Sequence, residues 1–303
     1  MFPKEDPKME KKIYNTFKRG SRTYFYSTLF FPPSIREDVF KLYSFVRVAD
    51  DLVDQVPQNE DGFYSFRDMY RSALKGDLTG DVVIDSFVEL SKRKRFEPQW
   101  AESFLNSMEM DLHKNEYATL KELKPYLYGS AEVIGLFMSR IMDLPTAAYK
   151  YAMSLGRAMQ YINFIRDINE DLKLGRTYLP TEEIKDFSLN SLERNEATLK
   201  ANEFQRFISF QIERYIKWQN EAEEGFVYMP KKYLLPIKTA SDMYAFTAKV
   251  ITSTPLIVYS KKVKPSIPRI IIHFAWNRLS IKDRYVSSTH LPPITLAGIS
   301  QGV

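Results

Sequence analysis

Two pairs of aspartates carry the strongest chemical signal in this chain. Asp50 and Asp54 stand four apart, and Asp167 and Asp171 repeat that spacing. A helix turns about 100° per residue, so Tyr43, Arg47, Asp50, Asp51 and Asp54 share one side if the segment is helical. Leu42, Phe45, Val46, Ala49 and Val53 surround them with apolar surface. The other row is longer. Gly156, Gln160, Asn163, Asp167 and Asp171, spaced 4, 3, 4 and 4, form one polar stripe. Its neighbours Leu155, Met159, Ile162, Phe164, Ile165 and Ile168 are apolar, so a helix buried nearly all round carries a polar line. Carboxylates in apolar surroundings repel one another and are costly to desolvate. Buried polar groups also need partners. One i,i+4 acid pair is as compatible with a solvated face as with a metal. Two rows in one chain favour two facing walls that meet through cations.

The donor set narrows the metal. Carboxylates with an amide oxygen, in a chain without Cys, suit a hard cation. Magnesium is expected, with manganese as a substitute, held by Asp50, Asp54, Asn163, Asp167 and Asp171. Magnesium often completes its shell with substrate phosphates, so a diphosphate is the expected ligand. Arg47, Arg166 and Arg176 flank the acids, and Arg22 lies in an aromatic stretch near the amino end. Guanidinium groups match phosphate oxygens in bidentate fashion. A carboxylate di-iron site would require Glu-x-x-His pairs, and His113, His273 and His290 stand in none.

These residues need helices to position them. Apolar residues recur at three and four positions through most of the chain. Helices are expected over 33–56, 60–74, 81–92, 98–113, 120–142, 146–174, 199–224, 241–250 and 267–280, separated by Pro and Gly signals such as Pro57, Gly76, Gly80, Pro145 and Gly175. No repeat or linker divides the 303 residues. The expectation is one all-α domain over 1–303, with 1–12 as a disordered tail and a central apolar cavity. A net charge of +5 attracts anions. Phosphate is favoured over nucleic acid, because zinc-finger and RNP-type patterns are missing. No apolar run approaches the roughly 20 residues of a membrane span, and the amino end has no signal-peptide character. A cytoplasmic location is expected.

With their surroundings, the two acidic rows resemble the squalene/phytoene synthase family. The likeness runs from about Ser21 to Arg278. Asp50-x-x-x-Asp54 is similar to the family's first acidic motif. Asn163-x-x-x-Asp167-x-x-Glu170-Asp171 is similar to its other acidic motif, and Gly175-Arg176-x-Tyr178-Leu179-Pro180 follows. Ser21-x-x-x-Phe25, Tyr43, Arg47 and Tyr128-Gly129 match as well. The resemblance implies an isoprenoid-synthase-type helical bundle that condenses prenyl diphosphates head to head. One diphosphate ionises and the double bond of a second substrate attacks the allylic cation. Proton loss gives a cyclopropylcarbinyl diphosphate, and a second ionisation joins the two C1 carbons. The implied catalytic residues are Asp50, Asp54, Asp167, Asp171, Tyr43, Arg47 and Tyr128. The implied substrate-binding residues are Ser21, Arg22, Tyr24, Phe25, Gln160, Asn163, Arg166 and Arg176.

Within the family the chain is most similar to phytoene synthases. These join two geranylgeranyl diphosphates to phytoene for carotenoid biosynthesis, without NADPH. Squalene or dehydrosqualene formation from farnesyl diphosphate is the alternative. A terpene cyclase usually carries Ser or Thr and Glu in its second motif, unlike Asp167 and Asp171. A non-catalytic isoprenoid-binding or assembly factor tends to lose acids that are all present here. Small Thr28 is expected to leave room for a C20 tail, where Phe40 would oppose it. The basic run at Lys261, Lys262 and Lys264 falls near a basic element of relatives. It reads either as a solvated charge run or as a contact to phosphate or an acidic membrane. Release of an apolar product predicts peripheral membrane contact through 255–276. Nothing in the chain specifies an oligomeric state.

Overall fold

The computed structural model describes residues 22–281, with side chains from residue 25 onward. The 1–12 segment and Ser21 lie outside the described residues. The described chain is helical, and its sole β feature is an isolated bridge between Glu116 and Thr177. In chain order the helices are α1 (Arg22–Thr28), α2 (Pro33–Asp54), α3 (Glu60–Lys75), α4 (Val82–Lys94), α5 (Pro98–His113), α6 (Leu120–Leu127) and α7 (Val133–Ile141). Then come α8 (Tyr149–Arg166), α9 (Ile168–Lys173), α10 (Thr181–Asp186), α11 (Arg194–Leu199), α12 (Ala201–Glu224), α13 (Lys231–Ser253) and α14 (Ile267–Ser280).

Local chemistry sets several boundaries. Pro33 opens α2, where its missing N–H and fixed φ cost nothing. The Asn59 side chain accepts from the Gly62 N–H at 3.0 Å at the start of α3. Asp81 accepts from Val83 and Ile84 at the start of α4. The short helices α1, α10 and α11 fall outside the sequence expectation, because six or seven residues are too few to show a period. Helix α13 starts ten residues before the expected 241, following Pro230 and tolerating Pro236 in its second turn.

Two expected helices are interrupted. The 120–142 segment contains a π-helical turn, Tyr128–Glu132, between α6 and α7. The 146–174 segment breaks at Asp167, whose φ of −100° and ψ of 12° leave the α-helical range. Hydrogen bonding still crosses the break. The Asp167 N–H reaches the Asn163 carbonyl at 2.8 Å, and the Asp171 N–H reaches the Asp167 carbonyl at 2.9 Å. The polar stripe therefore stays continuous while the axis is free to bend.

Helix α8 is central, packed against α7, α12, α13 and the π-helical turn. Its approach to α7 and to the π-helical turn depends on glycine. A Cβ on Gly135 would lie 2.1 Å from the Ala152 carbonyl oxygen, and one on Gly156 would lie 2.2 Å from that of Ala131. On the other side, Phe45 of α2 stacks on Phe87 of α4 at 3.9 Å. Phe45, Phe63, Phe87, Phe104 and Phe137 are all fully buried, and burial of each contributes about 1.5–3 kcal/mol. This aromatic layer fixes α2 against the outer helices and so sets the position of the first acidic row.

Candidate active site

One cavity of about 400 Å³ collects both rows. Asp50 and Asp54 of α2 line it together with Asn163, Asp167 and Asp171 across the α8–α9 break. Tyr43, Arg47, Gln160, Arg166 and Arg176 line it as well. Away from the acids its wall is apolar, with Val39, Ile134, Met138, Met142, Ala152 and Met159. Asp51 turns outward, more than half exposed, where Arg47 also pairs with it.

Each row is partly neutralised by the protein's own cations. Arg47 Nη1 donates to Asp50 Oδ2 at 2.6 Å. Arg166 grips Asp167 with two bonds of 2.7 and 2.6 Å. Arg176, beyond α9, reaches over to the first row and donates to Asp54 Oδ1 at 2.6 Å. It also bonds the carbonyls of Val53 and Asp111. Lys262 lies 3.1 Å from Asp167 Oδ2 and pairs with Glu170. The basic run is therefore more than a solvated surface: Lys262 and Lys264 reach the cavity. Asp171 has no ion-pair partner among the described residues.

The electrostatics follow from these contacts. Burial, then the charge of Asp54, pushes the Asp50 carboxyl up from its ordinary value. Burial, then Asp167 and Asp54, pushes Asp171 well up. Burial opposes ionisation of Asp167 too, but the Arg166 and Lys262 contacts outweigh it and hold that carboxyl below its usual range. Burial and the neighbouring charges of Lys262 and Arg166 lower the Lys264 ammonium.

The donor set fits magnesium. Its members are hard oxygens, and Asn163 Oδ1 is buried on the cavity wall with no hydrogen-bond partner among the described residues. Among the described residues no three carboxylate or imidazole groups converge closely enough to hold a bare ion. A cation bound here would complete its shell with water or with oxygens of its ligand.

Four residues that the sequence singles out do not line the cavity. Phe25 lies in the core, 1% exposed and 6.0 Å from Phe40, and does not line the cavity. Thr28 and Phe40 do not line it either. Tyr128 begins the π-helical turn, half-buried and outside the cavity; Tyr126 lines it instead. Two positions on a helix differ by about 200°, so the two tyrosines face opposite ways. Arg22 and Tyr24 lie on α1, and their side chains are outside the described ones. Asp111 and Tyr244 also line the cavity, although no sequence motif singles them out as site residues. For Asp111 a signal exists. Phe104, Met108 and Asp111 repeat at 4 and 3 on α5, and all three face the cavity.

An all-helical bundle with two carboxylate rows lining one cavity that has a largely apolar stretch of wall defines an isoprenoid-synthase type of protein. The pattern of squalene/phytoene synthases matches residues 17–269, and the chain belongs to that family. It is 26% identical over 279 residues to a 15-cis-phytoene synthase from Synechocystis sp., covering 86% of this chain and 82% of that one. It is 28% identical over 247 residues to a phytoene synthase from Pseudescherichia vulneris, covering 76% and 78%. A crystal structure of a dehydrosqualene synthase in complex with ligand superposes with a TM-score of 0.80, at 20% identity, over 90% of this chain and 96% of the other.

Proposed function

We propose that this chain joins two geranylgeranyl diphosphates head to head, through prephytoene diphosphate, to give phytoene. The observation that carries the reading is the one cavity that both acid rows line together with an apolar stretch of wall that includes Val39, Ile134, Met138, Met142, Ala152 and Met159. Magnesium held by Asp50, Asp54, Asn163, Asp167 and Asp171, with phosphate oxygens completing its shell, would neutralise the departing diphosphate. Arg47, Arg166 and Arg176 already lie among these acids and exchange a carboxylate oxygen for a phosphate oxygen as the ligand enters. The apolar wall excludes the water that would otherwise quench an allylic cation. Tyr43 and Phe164, both on that wall, offer aromatic faces to the cation.

The walls are long enough for a C20 tail. Asp54 and Val39 are 15 positions apart on α2, and Ala152 on α8 is 15 before Asp167 at the break that follows it. At 1.5 Å per residue, each wall runs about 22 Å from acid row to far end. An extended isoprene unit, four carbon–carbon bonds long, spans about 5 Å, so a tail of four units, about 20 Å, fits within this length. Incubation with C15 and C20 diphosphates, with and without NADPH, tests the reading. A C40 product formed without reductant is expected. A C30 product that requires NADPH would defeat it.

We further infer peripheral contact with membrane for product release. Among the described residues no helix is long and apolar enough to cross a bilayer. Helix α14 nevertheless exposes Ile271, Ile272, Trp276 and Leu279, and Lys231, Lys232 and Arg278 line an adjacent groove. Flotation with anionic liposomes checks this; a chain that stays at the bottom of the gradient would refute it.

A further inference from the structure

The end of the cavity remote from the acids adjoins a second hollow, and α13 sets that geometry. Tyr244 on α13 lies beside Asn163 and Arg166, level with the acid rows. Ile237, which also lines the cavity, is seven positions earlier, about 10 Å along the helix. Lys231 opens α13 13 positions before Tyr244, about 20 Å from that level. The start of α13 thus reaches the depth of Ala152, which lies 11 positions before Asn163 on the neighbouring α8, about 16 Å. Tyr151, next to Ala152, stacks on Tyr228 at 5.8 Å, which brings Met229 to that end. Met229 is buried and lines the cavity, whereas Pro230, the next residue, lines a groove of about 470 Å³. Ile237 and Leu235 divide in the same way, one on the cavity and one on the groove. Phe274, Lys231, Lys232 and Arg278 complete the groove. Phe274 and Arg278 come from α14, the helix that exposes Ile271, Ile272, Trp276 and Leu279. The partition between the two spaces is loosely held. Helix α13 has no side-chain cap, and Pro236 offers no N–H to the Lys232 carbonyl. The unbranched Met229 side chain adapts readily to new surroundings.

We propose that the long-chain hydrocarbon product leaves past Met229 and the first turn of α13, into this groove and from there into an anionic lipid surface. The assignment rests on the head-to-head condensation and the membrane contact proposed above. The product has lost both diphosphates, so nothing in it pairs with the charged end of the cavity. Leaving by that end would carry it between carboxylates, arginines and lysines into water, and every CH2 transferred to water is unfavourable. At the other end it meets only apolar groups in turn: Met229, then Leu235 and Phe274, then the exposed face of α14. Lys231, Lys232 and Arg278 match the phosphates of anionic headgroups and would hold the groove against the bilayer. Substrate and product thus use opposite ends of one cavity, the charged end for diphosphates and the apolar end for hydrocarbon.

The test uses the absence of Cys from the chain. Leu235→Cys places a single thiol in the groove and outside the cavity, and a bulky maleimide then fills the groove of the folded protein. Labelled and unlabelled forms are assayed with geranylgeranyl diphosphate and magnesium on vesicles of phosphatidylglycerol and phosphatidylcholine. Labelling is expected to lower steady-state turnover about tenfold or more, leaving a burst of about one product per enzyme, because release becomes limiting. The rate of a single turnover, with enzyme in excess, should stay within about twofold of the unlabelled value. Steady-state turnover that survives labelling overturns the proposal. An equal loss in single turnover also overturns it, since the label then acts on the chemistry. Unlabelled turnover that is the same with and without vesicles removes the lipid surface as acceptor. Should Leu235→Cys fail to fold, Lys232→Cys carries the label from an exposed position on the same groove. Unlabelled protein that forms no head-to-head product from any prenyl diphosphate would sink the functional reading. Active protein whose turnover ignores the label would sink only this inference.

Discussion

The two acidic walls solve the same electrostatic problem differently. The first lies on one unbroken helix, α2, and each of its acids has a single arginine. Burial and mutual repulsion still push Asp50 up. The other wall crosses the break at Asp167, where Arg166 and Lys262 converge on one carboxylate and leave Asp171 without an ion-pair partner among the described residues. Unsatisfied charge is therefore concentrated on Asp50 in one wall and Asp171 in the other. A cation–diphosphate ligand spanning the two would relieve both.

Removing one acid from each wall should have the largest effect. Asp54→Ala and Asp171→Ala are each expected to lower turnover about 1000-fold or more, with helix content by circular dichroism unchanged. Stability should separate them. Asp54→Ala strands the buried Arg176 guanidinium and should cost about 1–3 kcal/mol in urea unfolding. Asp171→Ala relieves repulsion and should cost none. A larger stability loss at Asp171 would break the comparison.

The arginines come next. Arg166→Ala frees Asp167 from the bonds that hold its carboxyl low, and turnover should drop about 100-fold. Arg47 is more exposed, 30% against 16% for the Arg166 side chain. Its loss should cost about tenfold less than that of Arg166, because solvent screens an exposed pair. Steady-state kinetics on both variants decides the order.

A smaller effect is expected at the far ends of the same helices, at Val39 and Ala152. Ala152→Phe shortens the cavity by about one isoprene unit and should swing the ratio of C15 to C20 turnover about tenfold or more toward C15. Val39→Phe should act in the same direction from the opposite wall. Product analysis that finds both variants still selective for C20 would remove the length argument.

Much of this is legible in the chain because helix period and site coincide. The stripe from Gly156 to Asp171 is polar only where it meets the cavity, so a 3.6-residue period exposes it. The same logic fails where the helix stops being regular. Motif likeness favours Tyr128 over Tyr126 next to a π-helical turn that periodicity does not register. The break at Asp167 is equally silent, since hydrogen bonds continue across it. Asp111 escapes because a lone acid on an amphipathic helix looks solvated until its two tyrosine partners, 15 and 67 positions away, are seen. Lys262 depends on a contact 92 positions distant, which no local pattern encodes.

The subtlest difference between the walls should appear in stability against pH. Asp50, Asp111 and Asp171 all have carboxyls pushed up mainly by burial, Asp111 to about 7. Each favours the fold when protonated, so its contribution is complete below about pH 4 and is lost as pH rises through its folded value. Asp167 is held low and acts oppositely, contributing above its ordinary range and losing that contribution only in strong acid. Three groups against one predict that the metal-free protein becomes less stable between about pH 5 and pH 8. A fall in Tm of a few degrees corresponds to about 1 kcal/mol for a chain of this size. If magnesium with inorganic pyrophosphate binds the ionised carboxylates, as proposed above, the stabilisation it brings should be larger at about pH 8 than at about pH 5.5. Thermal unfolding at both pH values, with and without that ligand, measures the balance. A Tm that rises with pH in the metal-free protein would mean that the low-lying Asp167 pair outweighs the strained acids, reversing the contrast between the two walls.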